Sequence, residues 1–366
     1  MNKLVVKLLA CSVLVAGLSS AAAQDILFLT NRVASIRTST DGAATSVFAT
    51  TTGRQYRGVD VNPTTGVVYS ASDAGGTATA RPLDAFSPAG ALVDTAFFNT
   101  TNNQAQLPVG YFNGFVYTSA GSVGGTGQSF GFVGTSSDTS GTNVLTSESF
   151  TSAGLGTAQS SDITFASSGG NNYLYSNLSG RSVQRALLNA DGTAAAAFTN
   201  VATTAGVDKT GGAASGPGTG TGTGSATLPT NFFDLGLTAS GRLLTVGETG
   251  FFLSDANQYT SNSISLNRVF AFSALEEATT GDMGVNARDF KLLGNNLYAV
   301  STNNLYRYTF DDAAGTLTFV SAVSNGFGTA NNIQIAGYTA VPEPSTYVMM
   351  LGGLGALLLF RRRRAS

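Results

Sequence analysis

Hydrophobic positions between residues 24 and 340 fall in short runs that alternate with polar ones and are broken by Gly, Asn and Asp. This is the period-two pattern of half-buried strands separated by turns. Tyr111-Phe112 and Phe115-Val116-Tyr117 flank Asn113-Gly114, a pair that accepts the two positive φ values of a type I′ hairpin turn. Leu292-Leu293 and Leu297-Tyr298 flank a second turn at Gly294-Asn295-Asn296, and residues 297–320 continue as a meander with turns at 302–304 and 311–315. No stretch of the body sustains a 3.6-residue apolar period; the nearest, residues 273–278, makes one helical turn at most. The pattern predicts an all-β body.

A loose repeat underlies it: an approach strand, a turn, then a strand ending in an aromatic or Leu-Val pair. Anchored at Ile26, Val67, Phe115, Tyr173, Leu243 and Leu297, its steps are 41, 48, 58, 70 and 54 residues. Blades of four strands recur at about 40–50 residues, and longer steps carry loop insertions. The longest step holds residues 210–227, a Gly/Thr-rich segment read as a flexible surface loop. The expected fold is a β-propeller-like ring of about six blades, in preference to a pair of β-sandwiches or a β-helix. The N-terminal repeat lacks an approach strand, and residues 333–338 are placed to supply it, closing the ring and removing an exposed edge. Residues 58–69 (GVDVNPTTGVVY) weakly resemble the Asp-x-x-Pro-x-Thr-Gly-x-x-Tyr blade hairpin of uncharacterised bacterial propeller-like proteins. That resemblance supports the fold and implies no activity.

Both chain ends carry a different pattern. Lys3 and Lys7, the apolar residues 8–17 and Ala21-Ala22-Ala23 read as a secretory signal peptide over residues 1–23, cut before Gln24 by signal peptidase after passage through the general secretion machinery. Leu8-Leu9-Ala10-Cys11 offers a competing lipoprotein site, but cutting there would leave apolar residues 12–18 on the mature chain. At the other end, Val341, Pro342, Glu343, Pro344 and Ser345 form a short segment whose prolines keep it extended. An uncharged run over residues 347–360 follows, then Arg361, Arg362, Arg363 and Arg364. The run of 14 residues is shorter than the ~20 that span a bilayer comfortably. Local thinning and arginine snorkelling make up part of the difference, with the arginines as a stop on the cytoplasmic side. This order of motif, single transmembrane helix and arginine cluster over residues 341–366 resembles the PEP-CTERM sorting signal of exopolysaccharide-producing Gram-negative bacteria. The resemblance implies recognition by an exosortase, a membrane cysteine protease or transpeptidase, cutting near Pro342-Glu343-Pro344. It also implies an inner-membrane intermediate that goes on to the cell surface or extracellular matrix.

Composition narrows the chemistry of residues 24–340. The chain has no His or Trp, its one Cys lies in the leader, and only 11% of its residues are charged, under half the usual ~25%. All but one of the 21 acidic residues fall in 24–342, but only 13 of the 19 basic ones do, so the exported body carries about −7. That balance argues against nucleic acid or an anionic membrane surface as partner. Without His or Cys, Ser-His-Asp and Cys-His triads, His-based metal sites, thiol nucleophiles and iron–sulfur centres are excluded. No P-loop is present, and no Asp-x-Asp-x-Asp-Gly calcium loop. No metal or cofactor is expected.

Carboxylate chemistry survives these exclusions. The candidates are the acids on or beside inner strands, Asp60, Asp162, Asp234, Glu248 and Asp289, of which all but Glu248 precede or sit in an approach strand. An acid repeated at one blade position would ring the central channel, able to contact a cation or sugar hydroxyls, or to act as an acid–base pair. The plainer reading is that each Asp satisfies local turn amides. The tyrosines, candidates for sugar-stacking platforms, are expected mainly in the core.

The expected function is a non-enzymatic, exosortase-sorted protein with a structural or adhesive role in an exopolysaccharide or biofilm matrix. The alternative is a carbohydrate-active or carbohydrate-binding propeller using paired Asp carboxylates. A weaker third reading is a calcium-stabilised scaffold.

Overall fold

The computed structural model describes residues 23–340 except 73, 75–79, 100–107, 122–127, 138–142, 148–149, 159–161, 179–181, 211–215, 218–223, 229–231, 273–288 and 328–332. Residues 1–22 of the expected leader, the sorting segment 341–345, the apolar run 347–360 and the arginines 361–364 lie outside the described residues, as does the single helical turn expected at 273–278. Among the described residues all regular structure is strand, and no helix is long and apolar enough to cross a membrane.

The alternating segments fold into a six-bladed β-propeller, each blade an antiparallel meander. Named from the axis outward, blade 1 is Gln334–Ala340, Gln24–Thr30, Ser35–Thr40 and Ser46–Thr50. Blade 2 is Tyr56–Val61, Val68–Ser72, Ala80–Phe86 and Leu92–Asn99. Blade 3 starts with Val109–Phe112, Phe115–Gly121 and Gln128–Ser137, and both Asn143–Leu145 and Thr151–Ala158 pair with the last of these. Blade 4 is Ile163–Ser168, Asn171–Leu178, Ser182–Leu188 and Thr199–Asp208. Blade 5 is Phe232–Leu237, Leu243–Gly247, Gly250–Ser254 and Ser263–Ala271, and blade 6 is Asp289–Leu293, Asn296–Val300, Asn304–Asp311 and Thr316–Ser324.

Every anchor of the sequence repeat lies on or beside the second strand of a blade, so the approach strands are the innermost ones. The C-terminal strand takes the innermost place of blade 1 beside the N-terminal strand, so the N-terminal strand is paired on both sides and is not an edge. Turn chemistry follows the sequence: Asn113 and Gly114 have φ of 48° and 84°, the double-positive turn that the Asn-Gly pair predicts.

Apolar side chains collect between blades rather than in one central mass, with a separate cluster at each of the interfaces. Phe251, Phe270, Tyr308 and Phe310 pack blade 5 on blade 6. Leu27 and Leu29 meet Tyr298, Val300 and Ile335 where blade 6 meets blade 1. Tyr56, Tyr69, Tyr117, Tyr175, Tyr298, Tyr306 and Tyr308 are among the largest fully buried side chains, so these rings are core. Several of their hydroxyls are bonded within the core: Tyr117 donates to the Gly192 carbonyl at 2.9 Å and Tyr56 to Asp84 at 2.7 Å.

Two features depart from the simple meander. The outermost strands of blades 4 and 5 pair in parallel, with Ala202 to Ala205 beside Ser263 to Leu266, joining both blades into one nine-stranded sheet. In addition, parts of the 210–227 segment are paired: Gly216 and Pro217 lie against Ala271 and Phe270, and Ser225 bridges to Val207.

Candidate functional site

The innermost strands enclose an axial cavity of about 160 Å³. Asp60, Asp162, Asp234 and Asp289 all line it, with Lys291, Gln334 and Thr164, between apolar walls that include Val59, Val109, Ile163, Leu237 and Leu292. Glu248 sits in the turn between the second and third strands of blade 5 and is not among the lining residues.

The four aspartates occupy one structural position. The Asp60 carboxylate accepts the Tyr111 amide of blade 3 at 2.7 Å. Asp234 accepts the Phe290 amide of blade 6 at 2.6 Å, and Asp289 the Ile335 amide of blade 1 at 3.0 Å. Asp162 is held by the amides of Ile163 and of Leu235 in blade 5. Each acid thus grips the amide one residue past the matching position on the next blade. That register assigns the ring as Gln334, Asp60, Gly110, Asp162, Asp234 and Asp289, one residue per blade, five within the innermost strand and Asp162 just before it. The aspartates do satisfy amides, as the plainer reading holds, but chiefly those of the neighbouring blade, and they face the cavity as well.

Two ring positions are not acidic. Gln334 supplies a neutral amide, and Gly110 leaves a gap for a packing reason: a Cβ there would stand 2.5 Å from the Phe165 ring and 3.1 Å from Ile163. The sequence reading missed both, and it missed Lys291, whose ammonium reaches to 3.5 Å from Asp60. The signal for Lys291 was available, because side chains two apart on a strand share a face and Lys291 follows Asp289 by two.

Charge is concentrated unevenly around this ring. Asp234 and Asp289 are buried. Burial, with the neighbouring Asp234 next, raises the Asp162 carboxyl well above the usual range. Burial and then Asp289 do the same for Asp234. Burial, reinforced by Asp162, lifts Asp289 to about 7. Attraction to Asp60 outweighs burial at Lys291 and raises its pKa, so its charge is retained. Three adjoining carboxyls, two of them buried and Asp162 half-buried, resist ionising together. Near neutral pH the set therefore offers proton donors and acceptors side by side, the arrangement on which acid–base chemistry relies. Among the described residues no group of three or more His, Cys, Asp or Glu is arranged to hold a metal ion.

Comparison with known proteins bears first on the C-terminus. Residues 340–364 match the PEP-CTERM protein-sorting motif. The PEP-CTERM motif marks the protein as exported, held at a membrane before cleavage, and processed by an exosortase. No protein of curated function matches the chain in sequence.

The body shares its fold with many solved structures. A provisionally named 6-phosphogluconolactonase of Bacteroides uniformis aligns at 13% identity over 85% of this chain and 99% of its own, with a TM-score of 0.52. A functionally unknown protein of Desulfotomaculum acetoxidans aligns at 14% identity over 84% and 82%, TM-score 0.49. The periplasmic gluconolactonase of Pseudomonas aeruginosa aligns at 14% over 88% and 100%, TM-score 0.48. At these identities the likeness establishes the propeller alone. It nevertheless corrects one expectation. The body was expected not to be an enzyme, because it lacks His and Cys; this propeller architecture occurs in the protein provisionally named a 6-phosphogluconolactonase, and the non-enzymatic assignment is withdrawn.

Proposed function

We propose that this PEP-CTERM protein is a carbohydrate-active propeller of the cell surface or extracellular matrix, whose axial cavity takes one sugar unit of an exopolysaccharide. The observation that carries this reading is the convergence of Asp162, Asp234, Asp289 and the Asp60–Lys291 pair in one cavity. A sugar presents hydroxyls that donate to carboxylates and accept from protonated carboxyls, and C–H faces that suit walls such as Val109 and Leu292.

Size argues for a single ring. About 160 Å³ is close to the ~150 Å³ that accommodates one benzene, and below the ~300–1,000 Å³ of pockets for drug-sized ligands. A carboxyl that keeps its proton near neutrality is suited to protonating a glycosidic or lactone oxygen while an ionised neighbour activates water.

The test is calorimetry, with product analysis, on residues 24–341 against glucose, galactose, mannose, glucuronate, 6-phosphogluconolactone and the homodisaccharides of the sugars. At least one probe is expected to bind, and its binding and any turnover to be lost in the Asp162→Asn/Asp234→Asn/Asp289→Asn variant. Probe binding and turnover unchanged in that folded variant would overturn the assignment.

A further inference from the structure

A second cavity, of about 270 Å³, adjoins the first. The two share Phe165 of blade 4 and Leu237 of blade 5 as wall residues, so the second continues from the axis along the seam between these blades. Its far side is built from the Thr238–Gly241 turn, Asn257 and Tyr259.

That wall is fixed in place. The Tyr259 carbonyl accepts from the Tyr175 hydroxyl at 2.6 Å and from Arg185 Nη1 at 3.0 Å, both on blade 4. Arg185 also donates to the Asn262 side chain at 2.8 Å. The connection carrying Tyr259 belongs to blade 5, so the hydrogen bonds clamp it across the seam. Beneath the ring, Gly241 has a φ of 72°, and a Cβ there would stand 2.6 Å from the Tyr259 ring; only glycine lets the ring lie this close. A half-buried aromatic ring, sharing the cavity wall with Asn257 and Thr238, gives a flat apolar surface accompanied by hydrogen-bonding groups. Because these hydrogen bonds come from the protein's own groups, little ordering cost remains at binding.

Resting on the sugar assignment above, we propose that this second cavity is the subsite for the next residue of the same saccharide. The propeller then recognises the end of a chain at least two residues long, one ring among the axial carboxyls and the next against Tyr259.

The experiment is calorimetry of the body with each bound monosaccharide and its homodisaccharide, in the native protein and in Tyr259→Ala, Tyr259→Phe and Ala239→Phe. The disaccharide is expected to bind about 10-fold more tightly than its monosaccharide. Tyr259→Ala should erase that gain and leave monosaccharide affinity unchanged, while Tyr259→Phe, which keeps the ring, should retain it. Ala239→Phe fills the cavity from an exposed turn position and should also erase the gain, which keeps the test valid if Tyr259→Ala does not fold. Equal affinity for mono- and disaccharide, with monosaccharide binding still lost in the triple Asn variant, overturns the second subsite alone. Binding of neither sugar class overturns the assignment of the axial cavity along with it.

Discussion

The Asp234 carboxylate, on the innermost strand of blade 5, accepts the main-chain amide of Phe290 on the innermost strand of blade 6 at 2.6 Å. The bond crosses 56 residues of chain and fastens one blade to the next at the wall of the cavity. The same side chain is thus an interblade clasp and a member of the candidate site, and the two roles separate by substitution. Asp234→Ala leaves the Phe290 amide buried without an acceptor and should lower stability by about 1–3 kcal/mol. Asp234→Asn keeps an acceptor oxygen and should cost much less while still removing the carboxyl chemistry. Urea midpoints of the two variants provide the check, and equal losses would rule out the clasp.

The acid ring also sets the sign of the pH dependence. Asp289 is raised by burial and then Asp162 to about 7; Asp162 and Asp234 are raised by burial and then by Asp234 and Asp289 respectively. An unfolded Asp titrates near ~3.9. The folded state therefore binds these protons more tightly, and their contribution is complete below about pH 4 and is lost as pH rises through the folded-state values, about 7 for Asp289. The body should melt at a higher temperature at pH 5 than at pH 8. The triple Asn variant should flatten that difference, which thermal melts across this range measure directly. Below pH 4 the lowered Asp208, whose burial is overcome by Arg268 and Thr210, works in the opposite sense.

Gly110 marks where the ring of acids is interrupted. Gly110→Ala should force the Phe165 ring, 2.5 Å from the new Cβ, to move, at about 1–3 kcal/mol for overpacking. Pairing it with Phe165→Leu should recover part of that loss. A double-mutant cycle on urea midpoints gives the coupling, and additive losses would mean that the clash lies elsewhere.

Truncation distinguishes the closing strand from the sorting tail. A chain ending at residue 340 retains the whole of Gln334–Ala340 and should melt with the chain that includes the sorting motif. A chain ending at residue 333 loses the partner of the N-terminal strand and the amide that Asp289 grips, and should not fold cooperatively. Circular dichroism melts of both decide it.

What the sequence disclosed was mostly local. The Asn113-Gly114 turn, the repeat anchors and the leftover strand at 333–338 depend on neighbours in the chain, and the aspartates stand out because each opens or sits in an approach strand. Lys291 was missed because its partner, Asp60, comes from blade 2, although the alternation after Asp289 placed it on the same face. The gap at Gly110 depends on the volume of Phe165 in the next blade, and no local pattern encodes that. The parallel pairing of Ala202 to Ala205 with Ser263 to Leu266 was likewise silent, since parallel strands share no connecting turn to announce them. The second cavity needs Tyr175 and Arg185 to reach across to Tyr259, again a contact between distant segments.

The closing strand has a mechanical consequence. Because Gln334–Ala340 is innermost in blade 1 and runs beside Gln24–Thr30, any tension on the C-terminus, whether from a membrane anchor or from a later attachment, acts first on this strand. The hydrogen bonds of that pair are then the first to carry the load. A tether at a blade's outer strand would peel the meander from its edge; a tether here loads the join that makes the ring continuous.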